Sequence, residues 1–259
     1  MHMSCFCSFL SKRAVVLAIL CIAQQAGCIS PCAELIDFGD AAYARFDNHA
    51  ALENYTKAQQ ACPNQYEPLF KTIRATISCG LDKGGKEGAR LISLGLNGTD
   101  TMVQRYPDSL QTHFLRAVAA GNLARASKGR QKVKLARIVD EHARKAIAID
   151  SSYAPAYTIL GCYYYEVAVA GKTIKAIARL IYGKFPEGTL EDSERTLLKA
   201  LQLDPTSIYA HLQLAKTYIA MKRKQDARNQ LCIIENLPET FHLDPELKMQ
   251  ARQLIAKLG

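Results

Sequence analysis

Four segments of the chain repeat one pattern. The stretches AALENYTKAQQACP (50–63), DEHARKAIAIDSSY (140–153), SERTLLKALQLDP (193–205) and KQDARNQLCIIENLP (224–238) each carry a small residue, an apolar residue about four places on, another small or apolar one three later, and then a turn. Each predicts the second helix of a helical hairpin. The first helices are as legible. YAPAYTILGCYYYE presents Tyr157, Leu160, Gly161 and Tyr164, and SIYAHLQLAKTYIAM presents His211, Leu214, Ala215 and Tyr218, both at offsets 0, 3, 4 and 7, which lie on one helical face. Asp204-Pro205 ends one helix before the next begins, because the residue before a proline is pushed out of the helical region. Such hairpins cannot bury their apolar faces alone, so they must stack into a superhelix.

The pattern resembles the tetratricopeptide repeat, a unit of roughly 34 residues. Five units are expected, at about 33–64, 66–106, 109–150, 153–205 and 207–239, closed by a capping helix at 244–258. The fold class is therefore all-α, a helical-hairpin superhelix whose first helices line a concave face. Repeat register puts Asp40 and Tyr43 on that face in the first unit, Phe114 and Asn122 in the third, Thr158 and Tyr165 in the fourth, and Tyr209, Leu212 and Lys216 in the fifth. These are the candidate residues for holding a protein or peptide partner.

The fourth unit is too long, because KTIKAIARLIYGKFPEG (172–188) interrupts it. An extra helix is expected there. The insert ends in Gly183, Phe185, Pro186 and Gly188, and with this mark the region from Tyr106 to the C-terminus resembles the regulator of microtubule dynamics family and its exported bacterial relatives. The resemblance implies the fold and a binding role. Microtubules are not a target that an exported bacterial protein would meet, and one eukaryotic branch is associated with lipid handling at membrane contacts. Two placements of the insert are open. In one, Ile174, Ile177, Ala178 and Ile181 brace the groove wall and Lys172, Lys175, Arg179 and Lys184 stand in water. In the other, the helix lies along the groove mouth and its basic rim meets an anionic lipid or membrane surface.

The first residues are of another kind. SKRAVVLAILCIAQQAGC places Lys12 and Arg13 before an apolar run from Ala14 to Ala23, with Ala26 and Gly27 ahead of Cys28. That reads as an export signal over residues 1–27, since about ten apolar residues fall short of the ~20 needed to span a bilayer. Cys28 resembles the acylated cysteine of bacterial lipoproteins, although Gln25 departs from their aliphatic residue. The expectation is a product of the cell envelope, facing the periplasm and tethered through Cys28. Without the leader the chain keeps 31 basic and 24 acidic residues, a net +7. Its cysteines form no CxxC pair, so a zinc ribbon or redox centre is not expected. Cys32 and Cys62 sit at the start of the first helix and the end of the second, which are neighbours in an antiparallel hairpin, and are expected to form a disulfide; Cys79, near the far end of its helix, is excluded.

Other signals are weaker. The segment 125–145 holds eight basic residues against two acidic ones, but no nucleic-acid module accompanies it, and nucleic acid is not an expected partner. GLDKGGKE (80–87) mimics a phosphate-binding loop yet has Glu87 where a hydroxyl should follow Lys86, so it reads as a turn. No catalytic constellation, metal set or cofactor motif is present; His113 and His211 take the large-residue position of their helices and read as packing residues. Two function classes remain: a protein-binding scaffold, and a carrier or sensor of a small amphipathic ligand suggested by Tyr163, Tyr164 and Tyr165.

Overall fold

The computed structural model describes residues 31–183 and 188–258. The leader, Cys28 and Lys184 lie outside the described residues. The helices are α1 (Pro31–Ala44), α2 (Asn48–Ala61), α3 (Tyr66–Lys83), α4 (Gly85–Arg105), α5 (Leu110–Ala126), α6 (Gly129–Ile149), α7 (Ala154–Ala168), α8 (Lys172–Tyr182), α9 (Leu190–Leu203), α10 (Ile208–Ala220), α11 (Lys224–Glu235) and α12 (Asp244–Leu258). Among the described residues there is no strand.

Short polar side chains start several of these helices. Asp47, Ser109 and Ser207 each accept a backbone N–H from the first turn of α2, α5 and α10, and Thr189 with Asp192 forms a reciprocal capping box before α9. Each cap satisfies donors that the helix leaves free and contributes about 1 kcal/mol. The hairpins are α1–α2, α3–α4, α5–α6, α7–α9 and α10–α11, with α12 packed on α10 and α11. Successive first helices touch one another from α1 through α3, α5, α7 and α10 to α12, whereas successive second helices do not meet. The first helices therefore line the inside of the curve.

The α7–α9 hairpin closes tightly at Gly161, where a Cβ would lie 2.6 Å from Cγ of Leu197. Leu197 is fully buried and joins Leu212, Leu214, Leu231 and Ile234 in the C-terminal core, which α12 seals with Leu247 and Ala251. At the other end the apolar cluster is small, comprising Cys32, Ile36 and Ala58 with Leu35 and Cys62 against it. The Cys32–Cys62 disulfide supplements it, with Cα atoms 6.1 Å apart. Cys79 is free and buried, its thiol donating to the Asn48 carbonyl at 3.2 Å.

The inserted helix is present, but neither expected placement holds. Among the described residues α8 packs against α6 alone, a second helix, so it belongs to the outer layer and not to the groove wall or mouth. The reason is the connector. Residues 169–171 span at most about 10 Å, and they leave α7 at its C-terminal end, beside the start of the antiparallel α6. Ala178 is buried and Ile174, Ile177 and Ile181 are half-buried, while Lys172 and Arg179 are exposed and Lys175 is half-buried. Gly183 ends α8 at φ 73°, a conformation open to glycine at little cost. None of the described helices is long and apolar enough to cross a membrane.

Candidate functional site

The inner face carries a cavity of about 90 Å³ where α5, α6, α7 and α10 converge. One stripe of each of the first three helices lines it. Val118, Gly121, Asn122 and Arg125 come from α5, Lys132, Ala136 and Val139 from α6, and Ile159, Cys162, Tyr163 and Glu166 from α7; α10 adds Tyr209 and Gln213. The spacing of three and four residues keeps each set on one face. The hollow exists because Gly121, Ala124 and Ala136 bring so little volume to it.

A polar rim surrounds the apolar floor. Arg125 donates to Asn122 Oδ1 and, at 3.2 Å, to the Tyr209 hydroxyl, to which the Cys162 thiol also donates at 3.7 Å. Lys132 pairs with Glu166 at 3.1 Å. Burial pushes the Cys162 thiol up to about 11, so it stays protonated and is no nucleophile at neutral pH. Burial also raises the Tyr209 phenol and lowers the Lys216 ammonium, which feels Cys162, Arg125 and Glu166 nearby. Three cations, Arg125, Lys132 and Lys216, thus face one carboxylate, Glu166. The arrangement can hold an apolar group with a negative charge beside it. Among the described residues no three of His, Cys, Asp and Glu group as metal ligands.

Of the residues placed on the inner face by register, Asn122, Tyr165 and Tyr209 line this cavity, and Lys216 stands beside it. The others lie elsewhere. Asp40 accepts from Tyr55 at 2.6 Å and from Lys71 at 2.5 Å; burial works to raise its carboxyl, but these hydrogen bonds outweigh it and hold the group below its ordinary value. Tyr43 lies under the Arg74 guanidinium at 4.0 Å, and Phe114 meets Tyr153 edge-on at 5.2 Å. Thr158 and Leu212 are corrections. The Thr158 hydroxyl is buried and bonds to the Ala154 carbonyl, and Leu212 is wholly enclosed in the C-terminal core, because each lies on the face of its helix that packs against neighbouring helices. Arg125, Lys132, Cys162 and Gln213 escape the register rule. The sequence signal for the hollow is Gly121 and Ala124, three apart on one face of a first helix, which bring little volume to the cavity they line.

The histidines pack as the sequence implies. His113 donates from Nε2 to the Pro107 carbonyl at 2.7 Å, which leaves its Nδ1 to accept from His142 Nδ1 at 2.8 Å. His211 likewise sits between two partners, with Nε2 3.0 Å from the Pro205 carbonyl and Nδ1 2.7 Å from Gln230 Oε1. Burial, with Arg116 and His113 adding to it, pushes His142 down to about 4. The folded chain therefore binds this proton less readily than the unfolded chain, so the contribution is complete above pH ~6.5 and is lost as pH falls toward ~4. We expect a loss of about 3 kcal/mol across that window, read as a falling urea midpoint. His142→Asn should remove most of the slope; an unchanged slope would mean that His142 does not carry it.

Stacked helical hairpins, each second helix packed on the next first helix and successive first helices in contact, define a tetratricopeptide-repeat solenoid. A crystal structure of a thermophilic tetratricopeptide-repeat protein from Thermus thermophilus superposes with a TM-score of 0.64 over 86% of this chain and 98% of that one, at 21% identity. The pattern of the family Regulator of microtubule dynamics protein 1-3 matches residues 35–259, and the chain belongs to that family. Regulator of microtubule dynamics protein 3 of Xenopus laevis is 25% identical over 182 residues, covering 70% of this chain and 39% of the relative. Regulator of microtubule dynamics protein 1 of Bos taurus is 24% identical over 207 residues, covering 79% and 64%. The match thus spans less than two thirds of the length of either relative.

Proposed function

We propose that the chain is a non-enzymatic scaffold whose inner face binds an extended segment of a partner protein, one apolar side chain entering the α5–α6–α7–α10 cavity and a neighbouring acidic group meeting Arg125 and Lys216. The observation that carries this is the cavity itself, apolar at its floor and positively charged at its rim. Its volume of about 90 Å³ is well under the roughly 300–1,000 Å³ of small-molecule pockets, which favours a single side chain over an amphipathic small molecule. The Cys32–Cys62 disulfide supports an exported location, because such bonds persist in oxidising compartments. Mass analysis of native protein should then find an acylated Cys28 at the N-terminus, and a free N-terminus at residue 29 or later would end the tethering proposal.

The test of binding uses Gly121. A Cβ there would meet only Val139 Cγ2, at an ordinary 3.7 Å, so Gly121→Leu fills the cavity without a backbone clash. It also removes a mid-helix glycine, which favours α5 by about 1 kcal/mol. A displayed random-peptide library panned on the wild-type chain should enrich an apolar residue next to Asp or Glu, and the stable Gly121→Leu protein should lose those peptides by tenfold or more, about 1.4 kcal/mol. Equal binding by the filled variant, or no enrichment, would exclude this site.

A further inference from the structure

We propose that the outer surface made by the first half of α6 and by α8 docks on an anionic lipid bilayer. Helical periodicity divides α6 in two. Lys132, Ala136 and Val139 face the inner cavity, and at about 3.6 residues per turn Arg130, Lys134 and Arg137 fall on the opposite side. All three are exposed. The Arg137 guanidinium lies 4.8 Å from the centre of the Tyr182 ring, which joins this stripe to α8 and its exposed Lys172 and Arg179.

Charge is segregated here to an unusual degree. No Asp or Glu occurs from 126 to 139 or from 167 to 186. The outward carboxylates of α6 come later and are already paired, Asp140 with Arg144 and Glu141 with Lys145. Lys132 turns inward to Glu166, and the outward Arg130 and Lys134 keep their charge for a partner.

The second observation is apolar. The isoleucines of α8 are turned toward α6, yet Leu180 is 74% exposed directly beside Arg179. An exposed Leu alone means nothing. Set among cations on the outermost helix, it gains from insertion between headgroups while the cations meet lipid phosphates. A soluble polyanion would use the charges and leave Leu180 in water, so the bilayer is the partner that both features fit. This surface faces away from the inner cavity, and the two sites are separable.

The full-length chain should float with phosphatidylcholine vesicles that contain phosphatidylglycerol. Combining Arg130→Gln, Lys134→Gln, Lys172→Gln and Arg179→Gln should weaken that binding about fivefold per charge removed, with a difference that shrinks as salt rises. The leader is the same in every variant and cancels in the comparison, and Gly121→Leu should bind vesicles like the wild type. The chain has no Trp, so Leu180→Trp introduces a sole indole whose emission should shift to the blue on anionic vesicles. The proposal is overturned if the folded quadruple variant binds them as the wild type does, if neutral and anionic vesicles bind the wild type equally, or if the indole emission stays put in the bound protein. Loss of poly(U) binding in the quadruple variant with vesicle binding intact would assign the cations to a soluble polyanion, and would equally overturn it.

Discussion

Reducing the Cys32–Cys62 bond is expected to destabilise the first hairpin by about 3–4 kcal/mol, the loop-closure value for a link of this length. The cysteines are 30 residues apart in sequence, and the apolar cluster around them is small, so little else holds the start of α1 to the end of α2. In a solenoid each unit contacts only its neighbours. The loss should therefore appear as early unfolding of residues 31–62, with the C-terminal units retaining their midpoint. Hydrogen exchange of the oxidised and reduced protein reads this directly, and Cys32→Ser with Cys62→Ser should reproduce the reduced state. Identical protection of α1 and α2 in both forms would contradict the expectation.

Leu197→Ala should be the most damaging single truncation on the α7–α9 contact, costing about 4 kcal/mol and lowering the thermal midpoint by roughly 10 °C. Leu197 is completely enclosed and sits over Gly161. The same contact predicts a non-additive pair. Gly161→Ala alone drives a methyl into Leu197 and should cost about 1–3 kcal/mol, but after Leu197→Ala the space is free and the helix gains from losing a glycine. Gly161→Ala should then become neutral or stabilising. A double-mutant cycle in which the two costs simply add would show that the close approach has no energetic weight.

Much of this fold is legible in the sequence because it is local. The offsets of Tyr157, Leu160, Gly161 and Tyr164 mark a helix face whatever surrounds it, and the Gly at the third position states in advance that a partner helix comes close. Cys32 and Cys62 are legible for the same reason, since a hairpin brings its ends together. What register cannot give is the small rotation that separates a helix's hairpin face from its groove face. Leu212 and Thr158 are buried in the packing between helices, while Asn122, Tyr165 and Tyr209 line the cavity. The share of α6 in the cavity is illegible too, because a first-helix rule says nothing of Lys132 or Val139. The seat of α8 depends on a three-residue connector and on which neighbour its end happens to face.

Seen as an elastic body, the solenoid is soft along its outer side, since successive second helices can spread apart without losing contacts they never made. The insert changes this at one junction. The chain leaves α7, lies against α6 of the preceding hairpin, and returns to α9, so bending between the third and fourth units must drag α8 across α6. Compliance should be lowest there and higher toward both ends. The cavity spans that stiffened junction, and a segment held in it would find its anchor nearly rigid while the remaining length of the groove flexes to follow it.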